Sequence, residues 1–170
     1  MRSGTYLSRL ISRMMILLSV GIIGGCSSID CPVQNIVNCK YSVIDSEGQQ
    51  TKFADTLTIV TRRSNGTDSI LFNRGVNIAE FSLPISQTLP EDTLLFITQS
   101  EGALPVIDSV LIAKTNLPQF ESVDCQLSYF HQITDVRHTY HRIDSIVINK
   151  RAVNYDTSTP HLLLHFKSVP

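Results

Sequence analysis

Beyond Cys26 the chain alternates apolar and polar side chains in short runs, and a turn signal breaks the alternation about every 10–15 residues. Successive strand residues point to opposite faces, so this period of two predicts half-buried β-strands. The run 38–44 shows it most clearly. Val37, Cys39, Tyr41 and Val43 form one apolar row, and Asn38, Lys40 and Ser42 the opposite polar row. The pattern predicts further strands over 56–61, 69–72, 78–85, 93–98, 106–114, 127–134 (continuing through 136–140), 145–149 and 161–167. Asn65-Gly66 marks a hairpin between the second and third, and Pro84 ends the fourth or confines it to an edge. The sixth is expected to stop at Asn116-Leu117-Pro118. No window after Cys26 carries helical spacing, and Val, Ile and Thr supply 45 of the 170 residues. The expected fold is all-β: an antiparallel, immunoglobulin-like sandwich of about seven to nine strands, with a closed barrel as the alternative.

The first 25 residues have a different character. Arg2, Arg9 and Arg13 are their only charges, and 14–25, MMILLSVGIIGG, is apolar or small throughout. Twelve helical residues reach about 18 Å, short of the ~30 Å hydrocarbon core, so the stretch reads as a signal-peptide core and not a membrane span. Ile23-Gly24-Gly25-Cys26 resembles a bacterial lipobox, in which the cysteine thiol accepts a diacylglyceryl group. The expected division is 1–25 signal peptide, 26–36 lipidated cysteine and tether, and 37–170 one sandwich domain. Without the leader Lys+Arg falls from 14 to 11 against 15 acids, a net charge of about −4. A nucleic-acid partner would need a concentrated basic face, so none is expected.

An exported chain folds where disulfides form. With Cys26 lipidated, Cys31, Cys39 and Cys125 remain. Cys39 falls on the apolar row of the first strand and reads as a small buried side chain. That leaves Cys31 to pair with Cys125, closing a loop of roughly 95 residues worth about 4–5 kcal/mol in the chain-entropy picture. A bridge this close to Cys26 leaves five residue steps of tether, at most about 17 Å.

A short pattern opens five of the expected strands: DTLTI from Asp55, DSILF from Asp68, DTLLF from Asp92, DSVLI from Asp108 and DSIVI from Asp144. The expected role of each Asp is a local side-chain-to-backbone hydrogen bond that closes a turn. The pattern also resembles the O-glycosylation acceptor of exported proteins in Bacteroides-type bacteria, with Thr56, Ser69, Thr93, Ser109 and Ser145 as candidate hydroxyls.

Further motifs are Asp30-Cys31-Pro32 behind Cys26-Ser27-Ser28, FSLPIS at 81–86, Pro90-Glu91-Asp92, KTNLPQFESVDC at 114–125, YFHQI at 129–133, IDSIVIN at 143–149, VNYDTS at 153–158 and HFKS at 165–168. Through them the chain resembles a family of small uncharacterised lipoproteins of the Bacteroides group. The resemblance implies an outer-membrane lipoprotein with a β-sandwich, and it supports the Cys31–Cys125 pairing. Cys39 departs from the family pattern. Ser27-Ser28-Ile29-Asp30 lacks an acidic run that resembles a surface-export signal, which favours the periplasmic face.

Candidate chemistry is sparse. His131, His138, His141, His161 and His165 all lie late in the chain. His161 and His165 share a strand face about 13 Å apart, too far for one metal ion without a donor such as His138 or His141 from a neighbouring strand. A solvated face is the expectation for them. Asp45, Glu47, Glu91 and Asp92 are expected as solvated loop acids, and Tyr129, Phe130 and Tyr140 as core aromatics or a sugar platform. No nucleophile elbow, zinc motif or phosphate loop is present. The expectation is a non-enzyme with no cofactor and no metal: an envelope lipoprotein module, anchored to the membrane, that contacts another envelope protein or a glycan. The alternative is a hydrolase or metal-dependent enzyme built on the late histidines.

Overall fold

The computed structural model describes residues 36–62, 66–120, 122–123 and 125–168. Cys26, Cys31, Asn65 and the expected signal peptide at 1–25 lie outside the described residues. Ten strands follow in order: β1 (Asn38–Ile44), β2 (Thr56–Arg62), β3 (Asp68–Gly75), β4 (Glu80–Pro84), β5 (Glu91–Gln99), β6 (Val106–Gln119), β7 (Ser128–His138), β8 (Ile143–Ile148), β9 (Ala152–Val153) and β10 (Leu162–Phe166). They form a four-stranded sheet, β4-β1-β10-β8, and a six-stranded sheet, β3-β2-β5-β6-β7-β9. The all-β expectation holds, and the chain is a β-sandwich. Pairing is antiparallel except between β1 and β10, which run parallel with Tyr41 opposite Leu162. Pro84 both ends β4 and lies on an edge strand, as its missing N–H requires.

Alternation explains the core. Cys39, Tyr41 and Val43 of β1, Leu83 of β4 and Leu162 and Leu164 of β10 face Leu57 and Ile59 of β2, Phe96 of β5, Val110 and Ile112 of β6 and Ile133 of β7 in one buried apolar cluster. Aromatic rings bridge the two sheets. Tyr41 stacks on Phe81 at 4.8 Å and lies 6.3 Å from Phe96, and Phe72 of β3 lies 5.3 Å from Phe81. Each fully buried ring or branched side chain contributes roughly 1.5–3 kcal/mol. Packing leaves no room at Gly75, where an added Cβ would lie 2.4 Å from Ile78 Cδ1.

Two elements differ from expectation. β6 runs through Pro118 to Gln119 and not only to Lys114. Its pairing with β5 ends at Ala113, opposite Glu91, while its pairing with β7 continues to Gln119, opposite Ser128. Beyond Ala113, Lys114 and Asn116 still bond the Pro90 and Leu89 carbonyls, but among the described residues no strand pairs with the end of β6 on that side, so a proline without N–H is tolerated at 118. The β6–β7 hairpin thus runs on as an arm past the end of β5. β9 is two residues long and too short to leave a periodic signal. The arm lies at the end of the sandwich where β1 begins, termed here the lower end. Asn38 pairs with Pro84 there, and Asp92 meets Lys114. Lys167, Arg142 and the β5–β6 turn occupy the upper end.

Candidate functional site

At the lower end a cavity of about 420 Å³ opens between the edge strands β3 and β4. Leu71, Pro84, Ile85 and Leu94 supply apolar wall, Arg62 is exposed, and Asp92 is the buried charge in its lining. Alternation puts Asp92 here: it continues the inner row Leu94, Phe96, Thr98 of β5. Lys114 continues the inner row Asp108, Val110, Ile112 of β6. The two opposite charges meet at 3.1 Å, and the Lys114 ammonium also donates to the Leu89 carbonyl at 2.6 Å. The Ser86 N–H donates to Asp92 at 3.2 Å. Burial raises the Asp92 carboxyl above the ordinary range, against the lowering effect of Lys114 and Ser86. Asp92 is thus a buried, ion-paired strand residue and not a solvated loop acid. Glu91 likewise belongs to β5. Asp45 does close a loop, accepting the N–H groups of Glu47 and Gln49 at 2.9 Å.

Beside this pair, burial pushes the Cys39 thiol up to about 12, and the Tyr41 hydroxyl, hydrogen-bonded to it, also rises. Cys39 is a free and buried thiol, as its row predicts. Cys125 is disulfide-bonded, to a partner that is not among the described residues.

The histidines do not meet. His131 is buried and donates through Nδ1 to Asn116 Oδ1 at 2.8 Å; burial, then the Lys114 charge, lower it to about 4. His161 is also buried, which corrects the expectation of a solvated face. It precedes β10, its Nδ1 accepts the Lys40 N–H at 2.9 Å, and its own N–H donates to the Lys40 carbonyl at 2.8 Å. The ring stands in for a backbone acceptor where the β1–β10 ladder begins. Burial, then the Lys150 charge, lower its basicity. His138 lies against the Thr139 carbonyl and the Tyr140 ring, His141 against Asp108 at 3.2 Å, and His165 against Asp144 at 3.0 Å. Among the described residues no group of His, Cys, Asp and Glu side chains is arranged to hold a metal ion. Of the aromatics named from sequence, Phe130 packs edge-on against Tyr155 at 5.1 Å, and Tyr140 is exposed and packs against His138 at 4.4 Å, so Tyr140 is not a core residue.

Asp55 precedes β2 and Asp68 opens β3, whereas Asp92, Asp108 and Asp144 lie inside β5, β6 and β8; Asp92 takes the Ser86 N–H across its own loop, but Asp108 holds a distant one. Asp108 is fully buried. It accepts the Thr139 hydroxyl at 2.7 Å and the N–H groups of His141, Arg142 and Ile143 at 2.7–2.9 Å. Burial raises its carboxyl, and these donors outweigh burial and leave it lowered. Asp55 pairs with Arg142 and accepts the Ser100 hydroxyl, while Asp68 pairs with Arg62. The adjacent hydroxyls Thr56, Ser69, Thr93, Ser109 and Ser145 are all half-buried. Thr93 and Ser109 point outward, because their neighbours Asp92, Leu94, Asp108 and Val110 point in.

The cavity can therefore take a small apolar group with a hydrogen-bond donor. Its charged floor is already neutralised by Lys114, and no histidine lies in its wall. No curated protein matches the chain. No solved structure matches it either. Residues 56–166 match the family of unknown function DUF6452, a span well over half of the chain, and the protein belongs to that family.

Proposed function

We propose that the protein is a non-catalytic module of the bacterial envelope, exported, lipidated at Cys26 and anchored to the outer membrane facing the periplasm. In this reading the sandwich contacts another envelope protein or a glycan, and the lower-end cavity receives part of that partner. The observation that carries it is the placement of the histidines. Five rings have five separate partners, and the two most buried ones hold strands together. General acid–base chemistry needs titratable groups converging on one concave site, and this cavity contains a single carboxylate locked in an ion pair. Export is supported by the leader, by the lipobox-like Ile23-Gly24-Gly25-Cys26 and by the oxidised state of Cys125. With Cys39 free, Cys31 is the proposed partner of Cys125. The proposed glycan sites are the half-buried hydroxyls Thr56, Ser69, Thr93, Ser109 and Ser145.

Cys26→Ser tests the anchor. The wild-type chain should incorporate a labelled fatty acid and float with membranes, and the variant should do neither. Equal flotation of the two would contradict the reading.

A further inference from the structure

We propose that the tip of the β6–β7 arm is a lipid-docking surface, and that the domain rests on the membrane through it. The proposal deepens the anchored-module reading and rests on lipidation of Cys26. Four large apolar side chains stand in water within this short stretch: Leu117 is 43% exposed, Phe120 70%, Val123 85% and Leu127 45%. Cys125, in the same stretch of sequence, is disulfide-bonded. The arm that carries them runs past the end of β5, at the end of the sandwich where the chain enters β1.

Chain length selects the occupant. Ten residue steps separate Cys26 from Ile36, the first described residue, and the intervening chain reaches at most about 34 Å. With Cys31 bonded to Cys125, the lipid lies five steps from the tip itself, within about 17 Å. A lipidated Cys26 thus holds the most exposed apolar residues of the lower end beside a bilayer. At such a high effective concentration even weak interfacial binding is populated. Phe120, Leu117 and Leu127 reach the hydrocarbon edge.

The chain contains no tryptophan, so one introduced residue reports its own surroundings. The lipidated full-length chain carrying Phe120→Trp is placed on phosphatidylcholine vesicles, beside a second variant, Leu104→Trp. Leu104 is 87% exposed in the β5–β6 turn at the upper end. Both chains should co-float with the vesicles. The tryptophan at 120 should be quenched by nitroxide-labelled lipid and be several-fold less sensitive to aqueous iodide than the one at 104. Co-flotation with equal iodide quenching at the two positions overturns the docking and leaves lipidation standing. Shielding at 120 from both quenchers means that protein, a second copy or another chain, covers the tip, and this also overturns it. Failure to co-float refutes lipidation and docking together.

Discussion

Asp108 holds the β7–β8 connection by gathering three consecutive backbone N–H groups and a hydroxyl onto one buried carboxylate. Asp108→Ala leaves those donors without an acceptor, and each buried orphan costs about 1–3 kcal/mol. The variant should lose about 3 kcal/mol or more in urea unfolding; a loss under about 1 kcal/mol would show that water replaces the carboxylate. His131 sets an acid sensitivity. Its folded value is about 4 against 6.5 unfolded, so the unfolded chain takes up the proton first as pH falls. Stability conferred by the neutral buried ring is whole above 6.5 and is lost between 6.5 and 4, up to about 3 kcal/mol. Asp108, lowered, loses its contribution at still lower pH, whereas Asp92, raised, takes up its proton more readily when folded and partly offsets the loss. His131→Gln keeps a donor for Asn116 and should flatten the slope of unfolding free energy between pH 6.5 and 4. An unchanged slope would remove His131 from the account. Burial of Cys39 was legible because it sits inside an alternating row. Burial of His161 was not, because its row points outward and the Lys40, Asn149 and Lys150 backbone that bonds it is distant or unpatterned in the sequence.

Strands were legible wherever the alternation is local. β1 matches its expected bounds, and β2, β3, β5, β8 and β10 differ by a few residues at their ends. Partner choice was not, since the parallel β1–β10 pair joins residues about 120 positions apart in the sequence. The arm was missed because Pro118 reads as a strand terminator, and nothing local tells that β6 has lost its neighbour on one side. The Asp92–Lys114 pair was within reach of sequence reasoning: two opposite charges each continue an inward row. The arm also carries the disulfide prediction. Non-reducing alkylation of the native mature protein should label no thiol, because burial holds Cys39 protonated and covered. In urea one thiol should react, that of Cys39. Three reactive thiols, or a bridge to Cys39, would break the Cys31–Cys125 assignment and the short tether with it.

At the scale of the whole molecule, the start of β1, the cavity, the Asp92–Lys114 pair and the apolar arm all gather at the lower end. A chain anchored just ahead of β1 would hold that end against a membrane and turn Leu104, Arg142 and Lys167 away from it. Its contacts would be made in the plane of the envelope. The central claim is the lipid on Cys26, and mass spectrometry of the native protein tests it most directly. The same spectrum reports the hydroxyls: an excess of hexose-sized increments over the lipidated polypeptide is expected, and its absence would remove Thr56, Ser69, Thr93, Ser109 and Ser145 as glycan sites. For the anchor, the account predicts a mature amino terminus at Cys26 bearing a diacylglyceryl thioether. A leader still attached, an amino terminus elsewhere, or an unmodified Cys26 would contradict it.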